Sequence, residues 1–315
     1  MLTIFRKELA DHFSSTRFII LFSLVTMVAL ITTYMVGAGL REELAGVAKP
    51  GFVFLMLFTA PGQLFSLAQF IAFFGPLIGL VMGFDSINRE RNSGTLSKLV
   101  SQPIYRDAVI NGKFLAGVMT ISIMLVSLVL LISGLGLLLV GVVPGLEEVA
   151  RLGVYLVVSI AYVAFWLGLS ILFSIFFRSI ATSALAVVAL WIFLAFFIGF
   201  GSDLLANAVA PVDNQENVEQ VVRHSRVAKA ASLISPAVLY SDATSAILDP
   251  FRKTTKGLVL VGQMERISMS RFQNPLPLGQ SVLVVVPYLT SLLAITVICF
   301  GVSYLAFMRQ EVRSV

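Results

Sequence analysis

Six uncharged apolar runs, at about residues 18–38, 64–84, 114–143, 152–177, 180–200 and 281–307, dominate this chain of 315 residues. Each reaches the roughly 20 residues that a helix needs to cross about 30 Å of hydrocarbon. Lipid supplies no water to backbone N–H and C=O groups, so a spanning segment must satisfy them internally, as helix or as closed barrel. The runs are continuously apolar instead of alternating, which selects helix. Only 12% of residues are charged and 58% are hydrophobic. A soluble domain of this size would carry roughly 25% charged residues, so a very apolar soluble enzyme is a poor alternative. The expected fold class is an all-α polytopic membrane protein with six transmembrane helices.

The first run comes after Arg6, Lys7, Glu8 and Asp11. It is too long for a secretory signal core and no small-residue cleavage pattern succeeds it, so it is expected to remain as span one. The formal charge of +5 comes from basic residues scattered through loops, which does not describe a nucleic-acid partner. The single cysteine, Cys299, sits inside an apolar run. It can form neither an intrachain disulfide nor a cysteine metal site.

Positive charge orients the spans. Near span ends, eleven Lys and Arg residues fall on the side shared by residues 1–17, 85–113, Arg178 and the end of the chain, against three on the other side. Both termini are therefore expected in the cytoplasm, with residues 308–315 a cytoplasmic tail and residues 201–280 an extracytoplasmic lobe. That lobe is expected to be helical. Asn214 is a candidate cap for a helix through Val218, Val221 and Val222, and Pro236 and Pro250 interrupt the later candidate helices. The short apolar piece 51–60 lies between Pro50 and Pro61 and is expected to re-enter the membrane or lie at its surface.

Residues 1–17 place Leu2, Phe5, Leu9 and Phe13 at helical spacing, which predicts an interfacial amphipathic helix with Arg6 and its neighbours in water. Span two carries Gly75, Gly79 and Gly83 four residues apart around Pro76. Small residues on one face admit a close helix neighbour, either within the chain or from a second copy or along a transport path.

Between spans two and three lies a polar island, residues 85–113, with Arg89, Glu90, Arg91, Lys98, Arg106 and Lys113. The helix leaving span two is expected to run through Arg91 and to turn at Asn92, Ser93 and Gly94. Leu96, Leu99 and Val100 then form one face of a short helix stopped before Pro103. Such a knob, fastened to a span at each end, suits insertion into a groove on a partner.

These residues resemble the type-two ABC transport permeases, exporter subunits that pair with a separate ATPase. The resemblance rests on Phe5, Arg6, Lys7, Glu8 and Leu9, on Glu90, Arg91, Asn92, Ser93, Gly94, Thr95 and Leu96, and then on Leu99, Pro103, Arg106, Gly112 and Lys113. It covers nearly the whole membrane part, but the segment 201–280 carries no comparable signature. The resemblance implies a complex of two membrane subunits, a second copy or a related permease, with two ATPase subunits. It implies that Glu90, Arg91, Gly94, Thr95, Leu96, Leu99, Val100, Pro103 and Arg106 couple the membrane helices to the ATPase. Leu96, Leu99 and Val100 would be the apolar docking face, and Glu90, Arg91 and Arg106 orienting contacts. Phe5, Arg6, Leu9 and Lys113 would hold elements at the membrane surface, Arg106 and Lys113 by attraction to anionic lipid. No hydrolytic residue is expected in this chain, and ATP and magnesium belong to the partner. The long segment before span six also resembles the branch linked to copper-enzyme maturation.

His12 and His224 have no histidine partner at ligand spacing, and no compact Met, Cys or His cluster marks a metal site. The six runs as bounded hold no ionisable residue, unlike the pathway of a proton- or sodium-coupled transporter. A membrane scaffold is the other competing role, and a membrane enzyme would need a converging catalytic set that the loops do not provide.

Overall fold

The computed structural model describes residues 1–43, 51–59, 66–94, 105–212, 218–251 and 275–309. Twelve helices account for these residues, and no strand occurs among them: α1 (Leu2–Ser14), α2 (Thr16–Glu43), α3 (Val53–Thr59), α4 (Leu67–Gly83), α5 (Asn88–Asn92), α6 (Arg106–Val140), α7 (Leu146–Phe176), α8 (Ile180–Ile192), α9 (Ile198–Val209), α10 (Val218–Ser232), α11 (Pro236–Leu248) and α12 (Leu278–Arg309). Six helical segments are long and apolar enough to cross a membrane: α2, α4 continuing through α5, α6, α7, α8 continuing into α9, and α12.

The helix ends obey local chemistry. Ser66 and Gln69 form a reciprocal capping box at the start of α4. Gly141 ends α6 in the left-handed conformation at φ 64°. Pro236 was expected to interrupt a helix and instead starts α11, at the first turn, where its missing N–H has no helical partner to lose. The fifth span does not stop near residue 200. A π-helical turn at Phe193–Phe197 absorbs a local irregularity and the helix continues through α9 to Val209.

The glycine stripe faces span four within the same chain. A Cβ on Gly79 would lie 2.7 Å from the Leu167 backbone nitrogen and 2.8 Å from the Val163 carbonyl oxygen, and one on Gly83 would lie 2.8 Å from the Ser170 Cβ. Gly75 faces Tyr162 and Val163. The alternative of a stripe facing a second copy or a transport path is thereby set aside. Pro76 deprives the Ala72 carbonyl of its usual donor four residues on, and the Tyr162 hydroxyl replaces it at 2.7 Å. Ser170 Oγ likewise donates to the Leu80 carbonyl at 3.0 Å.

The described helices of segment 201–280 pack against the spans. Ser235 Oγ donates to the Leu194 carbonyl at 3.0 Å, deep along span five. From there α11 runs beside α7, where the Tyr240 and Tyr162 rings stack with centroids 4.5 Å apart. Tyr240 is fully buried, because a helix carrying Leu239, Tyr240, Ala243 and Ile247 on one face cannot leave it in water. The piece 51–60 contributes α3, whose Val53, Phe54, Leu55, Leu57 and Phe58 are all buried in the bundle.

Arg151 and Glu148 fasten this end. Glu148 accepts the backbone N–H groups of Phe54 at 3.1 Å and Gly145 at 2.8 Å. Arg151 is wholly buried and donates to the Ile247 and Leu276 carbonyls, to Ser281 Oγ and to Glu147, with its guanidinium over the Phe52 ring. One guanidinium thus joins α3, α7, the end of α11 and the start of α12. Its planar fork of five donors suits this division among partners.

Candidate coupling site at the polar end of the bundle

The polar island begins as a turn. Phe84 closes α4, residues 84–87 turn, and α5 restarts at Asn88 with no side-chain cap of its own. Its first N–H groups are captured from another span: Ser174 Oγ in α7 accepts from Ile87 N at 3.1 Å and Asn88 N at 3.2 Å. Two of the donors that a helix start leaves unsatisfied are thereby bonded, and α5 is tied to the foot of span four. After Asn92 the chain turns as expected, with Gly94 at φ 68° and its N–H donating to the Arg91 carbonyl at 3.2 Å. That backbone conformation suits glycine, which has no Cβ to clash.

Glu90 in α5 and Lys113 in α6 meet. Lys113 Nζ lies 2.9 Å from Glu90 Oε1 and 2.9 Å from Glu8 Oε1 in α1. All three side chains are buried, Lys113 to 5% exposure. One ammonium therefore joins the N-terminal helix, the element leaving span two and the element entering span three. Lys7 adds an outer contact to Glu8 at 3.3 Å, and Arg17 pairs with Asp85 at 2.6 Å, joining the starts of span one and the island. A polar cavity of about 630 Å³ lies between α1 and the foot of span two, lined by Lys7, His12, Arg17, Asp85, Arg89 and Lys113 among others.

Glu8 and His12 share this environment and respond oppositely to it. Burial by itself would raise the Glu8 carboxyl, but the adjoining Lys113 ammonium, its hydrogen bond and Lys7 overcome that and hold it below its ordinary value. His12 is held below its ordinary value chiefly by burial, with Lys113 adding to the shift and Glu8, Asp11 and Asp85 opposing it.

Lys113 was expected at the lipid surface, and its position inside this three-helix junction corrects that. The face of α1 is corrected as well. Ile4 and Glu8 pack inward, Phe5 and Leu9 are half-buried, Arg6 is exposed, and Leu2 and Phe13 point outward at 62% and 39% exposure. Close approach is set by Gly112, where a Cβ would fall 2.9 Å from Ile4. Arg91 and Arg106 are half-buried, and Gly94 lies exposed at the turn after α5. Thr95, Leu96, Leu99, Val100 and Pro103 lie outside the described residues, as do Asn214 and the end of the tail.

Glu8 and Ser174 are site partners that the sequence alone did not single out. A signal for Glu8 was its place four residues after Ile4, on the stripe that faces Gly112; Ser174 carried none. Among the described residues, no group of three or more His, Cys, Asp or Glu side chains is gathered closely enough to hold a metal ion.

Comparison with known proteins agrees with this architecture. The model of a family described as "ABC-2 family transporter protein" matches residues 2–312. A protein of Pseudomonas aeruginosa named "Probable ABC transporter permease protein NosY" is 33% identical over 113 residues, 36% of this chain and 37% of that protein. A protein of the same name from Stutzerimonas stutzeri is 32% identical over 109 residues, 35% of each. The chain thus aligns with little more than a third of the length of these curated relatives.

Proposed function

Because the chain belongs to the ABC-2 transporter family, we propose that it is the membrane-spanning permease subunit of an ATP-driven exporter, worked by a separate ATPase subunit. The observation that carries this reading is the Lys113 junction. A force applied to the island between spans two and three reaches α1 through Glu90, Lys113 and Glu8, and reaches span four through Ser174. A buried ion-paired joint resists being pulled apart, since separating one partner leaves an uncompensated charge.

In this reading the segment from Glu90 through Gly94, Thr95, Leu96, Leu99, Val100 and Pro103 to Arg106 docks in a groove on the ATPase. ATP and magnesium are held by that partner, and this chain supplies no hydrolytic group. Both termini and the island face the cytoplasm, in accord with the bias of positive charge. A second copy or a related permease completes the pathway. Approach of the two ATPases moves the islands, and the packed spans switch between two arrangements. Both relatives are named as probable permeases of ABC transporters, which supports the assignment.

The test is recovery of the complex. Leu96→Asp with Leu99→Asp should abolish co-purification of the ATPase while membrane insertion persists. Undiminished recovery of the ATPase with that double variant, or transport by the chain without any ATPase, would overturn the assignment.

A further inference from the structure

A second cavity, of about 560 Å³, opens between the last turns of span five and α10. Its walls include Gly199, Ser202, Val222, Ala228 and Leu233, and its charged rim Asp203, Arg226 and Lys229. Lys229 is engaged with Asp242 of α11. Asp203 and Arg226 are both exposed and neither pairs with another described residue. The groove thus offers one free carboxylate and one free guanidinium, among the described residues, beside an apolar wall.

The apolar wall continues along span five. Beyond Gly199 the span stays apolar through Phe196 to Ile192, the π-helical turn at Phe193–Phe197 rotating Ile192 off the face that carries Gly199 and Asp203. Ile192 is 40% and Phe196 59% exposed. Gly199 keeps the wall shallow, with nothing within 4 Å of where its Cβ would lie. Counting from Ile180 at about 1.5 Å per residue, Asp203 sits just beyond about 30 Å of hydrocarbon, at headgroup depth.

The geometry points to a bound aminophospholipid, a phosphatidylethanolamine, in this groove. Arg226 donates to the phosphate, Asp203 accepts from the primary ammonium, and an acyl chain lies over Gly199 and Phe196. Both headgroup contacts are charge-assisted hydrogen bonds. Phosphatidylcholine, whose quaternary ammonium carries no N–H, loses the Asp203 bond, and phosphatidylglycerol presents to Asp203 a neutral glycerol, whose hydroxyls donate without the positive charge of an ammonium. Lipid binding here does not depend on the ATPase.

The test uses the full chain extracted from bilayers holding equal parts of phosphatidylethanolamine, phosphatidylcholine and phosphatidylglycerol, with retained lipid weighed by native mass spectrometry. Phosphatidylethanolamine should be retained about tenfold over phosphatidylcholine, the loss expected of one hydrogen bond to a charged group. Asp203→Asn should erase that preference, and Arg226→Gln should lower retention of all three lipids. Gly199→Leu fills open space, so it should block retention without lowering the thermal midpoint. Equal retention of the three lipids, preference for phosphatidylglycerol, or retention unchanged in Gly199→Leu would overturn the assignment. So would dissociation of a dimer by Gly199→Leu, which would assign the groove to a second copy.

Discussion

The Tyr162 hydroxyl stands in for the backbone donor that Pro76 removes, bonding the Ala72 carbonyl across the interface of spans two and four at 2.7 Å. A proline inside a spanning helix leaves a carbonyl with no water to turn to, so a neighbouring helix must supply the donor. Tyr162→Phe should therefore lower stability by about 1–3 kcal/mol. Pro76→Ala returns an N–H to the helix, and Tyr162→Phe should then cost much less. Thermal midpoints of the four proteins in one detergent form the cycle, and equal effects of Tyr162→Phe in both backgrounds would refute the pairing.

Replacing Gly79 tests the same interface sterically. Gly79→Ala places its Cβ against the backbone of Leu167 and Val163, which cannot rotate away. The expected destabilisation is about 1–3 kcal/mol. Gly153→Ala in span four meets open space and should be neutral or stabilising by up to about 1 kcal/mol through helix propensity. Comparable losses in the two variants, read from their unfolding midpoints, would contradict the close contact.

Lys113→Met leaves the buried Glu8 and Glu90 with only the exposed Lys7 ammonium at their outer edge. Breaking a buried pair in this way costs about 3–5 kcal/mol. Adding Glu8→Gln and Glu90→Gln removes the uncompensated charge, so most of the stability should return. Transport should not return with it if the junction carries force, because the linkage between α1 and the island is lost. Reconstituted vesicles with the ATPase measure that second quantity, and full transport by the triple variant would remove the junction from the coupling route.

Acid should loosen α1 in two steps. The His12 pKa is depressed, so the unfolded state takes up a proton more readily; this contribution is complete above about pH 6.5 and fades as pH falls through the lower folded value. Glu8 is also depressed, and its contribution is complete above its ordinary 4.5 and fades at still lower pH. Hydrogen exchange in α1 should therefore rise on moving from neutral to mildly acidic solution. His12→Gln should abolish the first step alone, and an unchanged first step in that variant would exclude His12.

Arg151 anchors the opposite end of the bundle. Arg151→Met should speed hydrogen exchange in α3, at the end of α11 and at the start of α12, with exchange in α1 and α5 unaltered. Arg151→Lys should not restore protection, because a single ammonium cannot reproduce the several directions in which the guanidinium donates. Restoration by lysine would mean that charge, and not the fork, is what the site requires.

The periodicity and length of the apolar runs determined by themselves that this is a six-span helical protein, and they placed the island at residues 85–113. Those features are local, since lipid forces each run to satisfy its own backbone. The close-packed role of Gly75, Gly79 and Gly83 was legible only as a face, and the neighbour was decided by packing against Val163, Leu167 and Ser170. Nothing in the sequence marks Lys113 and Arg151 as buried, because each lies one residue before an apolar run. A hydropathy boundary reports where charge begins and not where the helix does; α6 starts at Arg106 and α7 at Leu146. Their burial depends on partners distant in the chain, Glu8 and Glu90 for one, Ile247, Leu276 and Ser281 for the other. The fate of α10 and α11 was likewise decided by tertiary structure. Segment 201–280 is too polar to register as spanning, yet Leu239, Tyr240, Ala243 and Ile247 gain more from contact with spans four and six than from a separate lobe too small to bury them.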